Sequence, residues 1–280
     1  MGCRRVLARS AQPLSRPYPL SEEGRCMDQG KVGTMRLTVV GSAGGYPTAN
    51  TPSSGYLVEA DGHTIWVDCG PGTYISLPVD PWEVDAFVIS HRHVDHCADL
   101  LAVFHAFGYS PCPRESIPVY AAPGVNEAMV GFVEPDDDHP FWSVFDFIEV
   151  GDGDTATVGP ITLSFVPADH SVPDIATRFT VGDKSLVYTG DTGPGEWDEI
   201  ATDADLFLCE ASYQGEPGTH EYPFHLTARE AGEIAQRRGV GHLVLTHLSN
   251  RLDPSVSLQE AAEFFEGEIS LAGQNDRYDV

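Results

Sequence analysis

Apolar residues along this chain gather into short runs, and most runs end on a residue that can bind a metal or carry a proton. MRLTVV runs to Gly41, HTIWV to Asp68, DAFVIS to His91, and ITLSFV leads to His170. SLVYTG runs to Asp191, DLFLC to Glu210 and HLVLT to His247. Near-continuous apolar runs of this length predict strands buried on both faces. Helical patterns lie between some of them, over 97–107 (CADLLAVFHAF), 227–238 (TAREAGEIAQRR) and 256–266. Thr227 with Glu230 three residues on predicts a capping box. Strands interleaved with helices predict a layered α/β architecture. Strand exits that collect Asp, Glu and His predict one site fed by several loops.

Composition narrows the classes. The chain has 280 residues, 41% of them hydrophobic, enough for one large core or two small ones. No apolar stretch approaches the length of a bilayer span. The net charge of −26 disfavours a broad nucleic-acid footprint and favours a well-solvated surface. EPDDDH at 134–139 reads as a solvated loop. None of the six cysteines forms C-x-x-C, so reduced thiols and a cytoplasmic location are expected. Cys97 reads as a small buried hydrophobe. Residues 1–34 stand apart: Arg4, Arg5, Arg9, Arg16, Arg25 and Lys31 face only Glu22, Glu23 and Asp28, with no secretory h-region. Their Arg and Ser content mimics a transit peptide. They read instead as a disordered extension or as sequence upstream of a natural start at Met35, leaving 35–280 as the folded domain.

The densest chemistry is HRHVDH at 91–96, directly after a predicted buried strand. His91, His93 and His96 offer imidazoles and Asp95 a carboxylate, a set suited to zinc, manganese or iron. Six residues cannot wrap four ligands around one ion, so two neighbouring ions sharing the loop are expected. A surface histidine run would not need ligand candidates at other strand exits. GSAGG at 41–45 fits neither common phosphate-loop pattern, and Pro47 argues against a helix there, so it reads as a tight turn beside the site. Asp68 is a candidate for supporting the ligands from behind. His63, His105, His139, His220 and His242 read as structural or surface residues.

Together, H91-R-H93-V-D95-H96, ADH ending at His170, TGDTG with Asp191, and LTH ending at His247 resemble the metallo-β-lactamase fold superfamily. The motifs fall in the family's order and cover residues 35 to about 275. The resemblance implies an αββα sandwich with metals at the open edge between two sheets. It implies His91, His93 and His170 on a first ion, Asp95, His96 and His247 on a second, and Asp191 bridging them. Spacing alone supports only His91, His93, Asp95 and His96.

Two further segments resemble the ribonuclease Z branch. CEASY (209–213) is similar to its HEAT segment and HLTAREAG (225–232) to its HST segment, which implies that His225 faces the scissile phosphate and Glu210 orients it. Ribonuclease Z carries a tRNA-gripping arm between its third His ligand and its bridging Asp. Here His170 and Asp191 are 21 positions apart, and strand-like segments fill the interval. That likens the chain to compact bacterial cyclic-nucleotide phosphodiesterases. The expected enzyme is a cytoplasmic dinuclear phosphodiesterase acting on a small cyclic or linear diester through a metal-bound hydroxide. Zinc is the first choice of metal, ahead of manganese or iron. Asp95 would also handle a proton and His225 would protonate the leaving oxygen. Nucleic acid and membrane are not expected as partners; a homodimer is, because relatives often dimerise. The alternatives are ribonuclease Z itself, or a carbonyl hydrolase such as a lactonase, thioesterase or β-lactamase-like enzyme, which generally lacks the Glu–His pair. A non-catalytic metal-binding protein is opposed by the complete ligand set. A redox di-iron protein is opposed by His93, where those members carry Glu.

Overall fold

A computed structural model of the chain describes residues 33–220 and 222–280. The reading of residues 1–34 as an extension therefore lies almost wholly outside the described residues. The first sheet has seven strands, in the order Arg277–Asp279, Met35–Gly41, Gly55–Ala60, His63–Val67, Ala86–Ile89, Ile117–Ala121 and Phe145–Glu149. Pairing is antiparallel up to His63–Val67 and parallel beyond it. The second sheet runs Glu268–Leu271, His242–Thr246, Leu206–Glu210, Lys184–Tyr188, Asp174–Val181, Ile161–Ala168 and Thr155–Val158. Its first four strands are parallel and the rest join antiparallel, so each sheet has one parallel half.

The unbroken apolar runs follow from burial on two faces. In Ala86–Ile89, Ala86 and Val88 enter the core between the sheets, while Phe87 and Ile89 face an outer core. In Leu206–Glu210, Leu206 and Leu208 point inward and Phe207 and Cys209 outward. Alternating side chains must each find apolar cover, so neither face of the run can be polar. The outer cover of the first sheet comes from helices Leu100–Tyr109, Val125–Val133 and Phe141–Val144. Helices Ala228–Arg238 and Pro254–Ala262 cover the second. The result is the αββα sandwich that the motifs implied.

Helix boundaries differ from the periodic pattern. The segment 97–107 is two elements, a single turn Val94–Cys97 and the helix Leu100–Tyr109. Asp99 separates them: its carboxylate accepts from the Tyr74 amide at 2.9 Å and its amide donates to the Cys69 carbonyl at 2.8 Å. The last helix starts at Pro254, not 256, because Asp253 caps it by accepting from the Ser255 amide at 2.9 Å and proline fits the first turn. The predicted capping box is present: Thr227 accepts from the Glu230 amide at 3.2 Å and Glu230 accepts from the Thr227 amide at 2.8 Å.

One edge of the sandwich is stitched across. The Ile175 amide donates to the Ser90 carbonyl at 3.1 Å, and Leu248–Ser249 pairs in parallel with Ala43–Gly44. The predicted strand exits open at this edge.

Candidate metal centre

His91 leaves the strand Ala86–Ile89 after Ser90 and is fully buried. Its Nδ1 donates to Asp174 Oδ2 at 2.7 Å, which turns its bare Nε2 into the cleft. That Nε2 lies 3.0 Å from His93 Nδ1, which lies 3.1 Å from His170 Nε2. His170 in turn gives its Nδ1 proton to the Phe224 carbonyl at 3.0 Å. Two bare imidazole nitrogens thus point at a third, an arrangement that one proton on His93 can satisfy only in part. A cation among the three would satisfy all of them.

A second group gathers beside the first. Asp191 Oδ2 lies 3.3 Å from His96 Nε2, 3.4 Å from His247 Nε2 and 3.8 Å from His91 Nε2. Asp95 Oδ2 is 3.3 Å from His247 Nε2 and 3.6 Å from His96 Nε2. His96 Nε2 and Asp191 Oδ1 are buried without a hydrogen-bond partner among the described residues. Buried polar atoms left bare are costly, and a cation would repay both. The residues therefore fit two metal ions, with Asp191 touching both groups. Burial opposes ionisation of Asp191, but His247, His96 and His91 beside it hold its carboxyl well below the usual range.

The backbone works to place these groups. Asp68 follows the strand His63–Val67 of the first sheet and His247 the strand His242–Thr246 of the second, and both have left-handed φ, 54° and 53°. Such residues cost roughly 1–3 kcal/mol each and persist only where their surroundings hold them. Asp68 accepts from the Ser90 amide at 2.7 Å, Ser90 Oγ at 2.8 Å, Tyr188 OH at 2.7 Å and His96 Nδ1 at 2.7 Å. The expectation that Asp68 stands behind a ligand thus matches its contacts. GSAGG lies beside the site but is not the expected tight turn, because Gly41 ends a strand and Ala43–Gly44 pair with Leu248–Ser249. Gly45 donates to Asp95 Oδ2 at 2.9 Å, and a Cβ on Gly44 would stand 2.4 Å from the His247 carbonyl oxygen.

Glu210 and His225 meet at the same edge. Glu210, fully buried, takes the His225 Nδ1 proton on Oε1 at 2.9 Å and the Thr192 amide at 2.9 Å. Burial alone would strip His225 of its charge, but the Glu210 carboxylate pushes it up to about 9. His225 Nε2 has no protein partner among the described residues and its side chain is 21% exposed, so it can reach a ligand. All nine residues singled out from the motifs come together here. Sequence reading missed Asp174, which orients His91 from 83 positions away, and Ser212, which contacts Glu210 and His247. No spacing signalled either. His220, expected to be structural or surface, stacks on Tyr213 with centroids 4.1 Å apart, and Tyr213 edges His225.

A buried-strand sandwich with His and Asp side chains clustered at one open edge, in groups that could hold a metal, is the architecture of a β-lactamase-type metallo-hydrolase. The chain belongs to that superfamily: residues 63–248 match the Beta-lactamase superfamily domain. It is 31% identical to the probable metallo-hydrolase YhfI of Bacillus subtilis, covering 85% of this chain and 97% of that protein. The crystal structure of YhfI superposes with a TM-score of 0.79 over 88% of this chain and all of that one. A ribonuclease Z of Haloferax volcanii is 28% identical over 88% of this chain and 95% of its own. A diphosphatase of the PhnP family shares the fold, with 21% identity, a TM-score of 0.68, and 88% and 97% coverage. The protein is a metal-dependent hydrolase of this fold, and divalent metal ions belong to its chemistry. Among the described residues no helix is long and apolar enough to cross a membrane.

Proposed function

We propose that the protein is a dinuclear phosphodiesterase acting on a small cyclic or linear phosphodiester. His91, His93 and His170 would hold one ion, and Asp95, His96 and His247 the other, with Asp191 shared. Zinc suits these donors first, and manganese or iron also suit them. When bound, two such ions acidify water and draw charge from phosphoryl oxygens. The observation that carries the reading is the Glu210–His225 pair beside the ligands. Carbonyl chemistry on this fold does not call for a second imidazole held by a buried carboxylate. Glu210 fixes His225 with its proton on Nδ1 and its Nε2 toward the cleft, where it can hydrogen-bond a phosphoryl oxygen or hand a proton to the leaving alkoxide. Asp95, 3.3 Å from His247 Nε2, would accept the proton released by the attacking water.

Two arginines support an anionic substrate. Arg92 sits between His91 and His93, and Arg251 lies four residues after His247. Neither has an ion-pair partner among the described residues, although the chain carries −26 overall. The Arg92 side chain lies against Gly124 at the start of the helix Val125–Val133, and two positive charges this near the ligands in sequence lower the local acidic field.

The ribonuclease Z relative keeps tRNA processing as a second reading. Against it, the interval from His170 to Asp191 holds the strands Asp174–Val181 and Lys184–Tyr188 and no arm. The test is a metal-defined screen of bis(p-nitrophenyl) phosphate, cyclic AMP, cyclic GMP, a 2′,3′-cyclic nucleotide, pre-tRNA, a lactone and a thioester. Turnover of small diesters is expected. Turnover of the carbonyl substrates alone would move the protein to another branch.

A further inference from the structure

Ser212 belongs neither to the proposed ligand set nor to the Glu210–His225 pair, yet its hydroxyl touches both. It lies two residues past the strand Leu206–Glu210 and is 6% exposed. Ser212 Oγ is 2.8 Å from Glu210 Oε2, 2.8 Å from His247 Nδ1, 3.2 Å from the His247 carbonyl and 3.3 Å from His225 Nδ1.

A hydroxyl has one proton to give. Glu210 already receives the Thr192 amide and His225 Nδ1 on Oε1, and the Ser212 amide at 3.0 Å on Oε2. These donors leave its oxygens only acceptor roles, so the Ser212 proton goes to Oε2. The His247 carbonyl is a longer and uncharged competitor. With its proton committed, Ser212 Oγ can only accept from the imidazoles. His225 Nδ1 is nearer to Glu210, at 2.9 Å, than to Ser212. His247 Nδ1 has no other partner among the described residues, so it donates to Ser212. That places its proton on Nδ1 and its lone pair on Nε2, the atom that faces Asp95 and Asp191.

Three of the other clustered imidazoles, His91, His96 and His170, have Nδ1 on Asp174, Asp68 and the Phe224 carbonyl, and His225 has its own on Glu210. His91 and His96 also touch the Ser90 hydroxyl, but at 3.1 and 3.4 Å and each beside a nearer carboxylate. The nearest Nδ1 partner of His247 is itself a hydroxyl, Ser212 at 2.8 Å, whose direction Glu210 sets. We propose that Ser212 is a positioning residue that relays the polarity of the Glu210 carboxylate to His247, fixing the tautomer the second metal needs and tying that metal site to the Glu210–His225 pair. The inference rests on the reading of His247 as a ligand.

The experiment is zinc titration of the metal-free full-length protein against a competing chelator, for the parent, Ser212→Ala and Ser212→Thr. The alanine variant should bind the second ion about 10–100-fold more weakly, the usual cost of losing a ligand's supporting contact, with the first ion unaffected. The threonine variant, which keeps the hydroxyl, should return close to the parent. Long-range proton–nitrogen NMR of the zinc-loaded parent should show His247 protonated on Nδ1. Thermal melts of the metal-free proteins check that the alanine variant folds. Two ions in the parent with unchanged second affinity in Ser212→Ala would overturn the inference alone. Equal weakening of both ions, or no recovery in Ser212→Thr, would also overturn it. A parent that takes up a single ion would overturn the ligand reading of His247 and the inference with it. Hydrolysis is not measured, so the phosphodiesterase reading stands or falls separately.

Discussion

Asp191 is the residue on which both clusters meet, through one oxygen within 3.8 Å of His91, His96 and His247 nitrogens. Its replacement removes the only carboxylate the two groups share among the described residues. Asp191→Ala should therefore lower metal content more than any other single ligand change, read by elemental analysis of the purified protein. Full occupancy in that variant would end the shared-ligand reading. His225 sits differently: Glu210 holds one nitrogen and the cleft receives the other. His225→Ala should keep its metal yet lose about 10²–10⁴ in kcat on alkyl diesters, the usual worth of a general acid. The loss should shrink on p-nitrophenyl esters, whose leaving group needs no proton; equal losses would argue for a purely positioning role. At this scale the motif residues were legible because ligands cluster in short strings after apolar runs. Their supporting partners were not, since Asp174 and Ser212 look like any strand-start Asp or loop Ser. Only the pairing of distant strands brings them behind His91 and His247.

Elements were legible in proportion to how much burial dictated their residues. The central strands that end on ligands are covered on both faces, so AFVI and LFLC stand out from the sequence. Strands such as Thr155–Val158, exposed along much of their length, carry no such run. The helix Val125–Val133 opens from Gly124 without a side-chain cap, which removed the usual start signal. Two contacts between elements give tests. Gly44 pairs with Ser249, and a Cβ there would meet the His247 carbonyl oxygen at 2.4 Å, a backbone atom that cannot swing aside. Gly44→Ala should destabilise by about 1–3 kcal/mol, as overpacking does, and loosen metal binding at His247; a melting temperature equal to the parent's would show the two segments slide freely. Behind the second sheet, Asp198 in the turn Glu196–Ala201 is 2% exposed and takes Arg238 at 2.6 Å as well as Arg237. Burial opposes its charge, but the two guanidiniums hold its carboxyl below the usual range. The stability this contributes is complete above the ordinary aspartate pKa and is lost as pH falls through the lower folded value. Asp198→Asn should therefore cost stability at neutral pH and flatten the fall in stability below about pH 4. Denaturant melts across that range would show it, and parallel acid limbs in both proteins would refute it.

Across the whole molecule, charge decides what the site can accept. With −26 overall, the field of the protein pushes anions away. Added salt screens that repulsion as readily as it screens attraction. A small diester held by metal ligands, His225 and a few pocket contacts should therefore keep or raise its kcat/KM as salt rises. A tRNA would have to lay many phosphates along an acidic surface. An enzyme that gripped 6–10 of them would lose roughly 10³–10⁵ in affinity between about 50 and 200 mM salt. The two readings thus separate on one axis. Cyclic-nucleotide hydrolysis measured across that salt range should hold steady or climb, and pre-tRNA should not be cut at its 3′ trailer at any salt within it. A cyclic nucleotide left untouched, with trailer cleavage strong at low salt and collapsing as salt is added, would mean that the acidic surface hides a phosphate-gripping face and that tRNA processing is the activity.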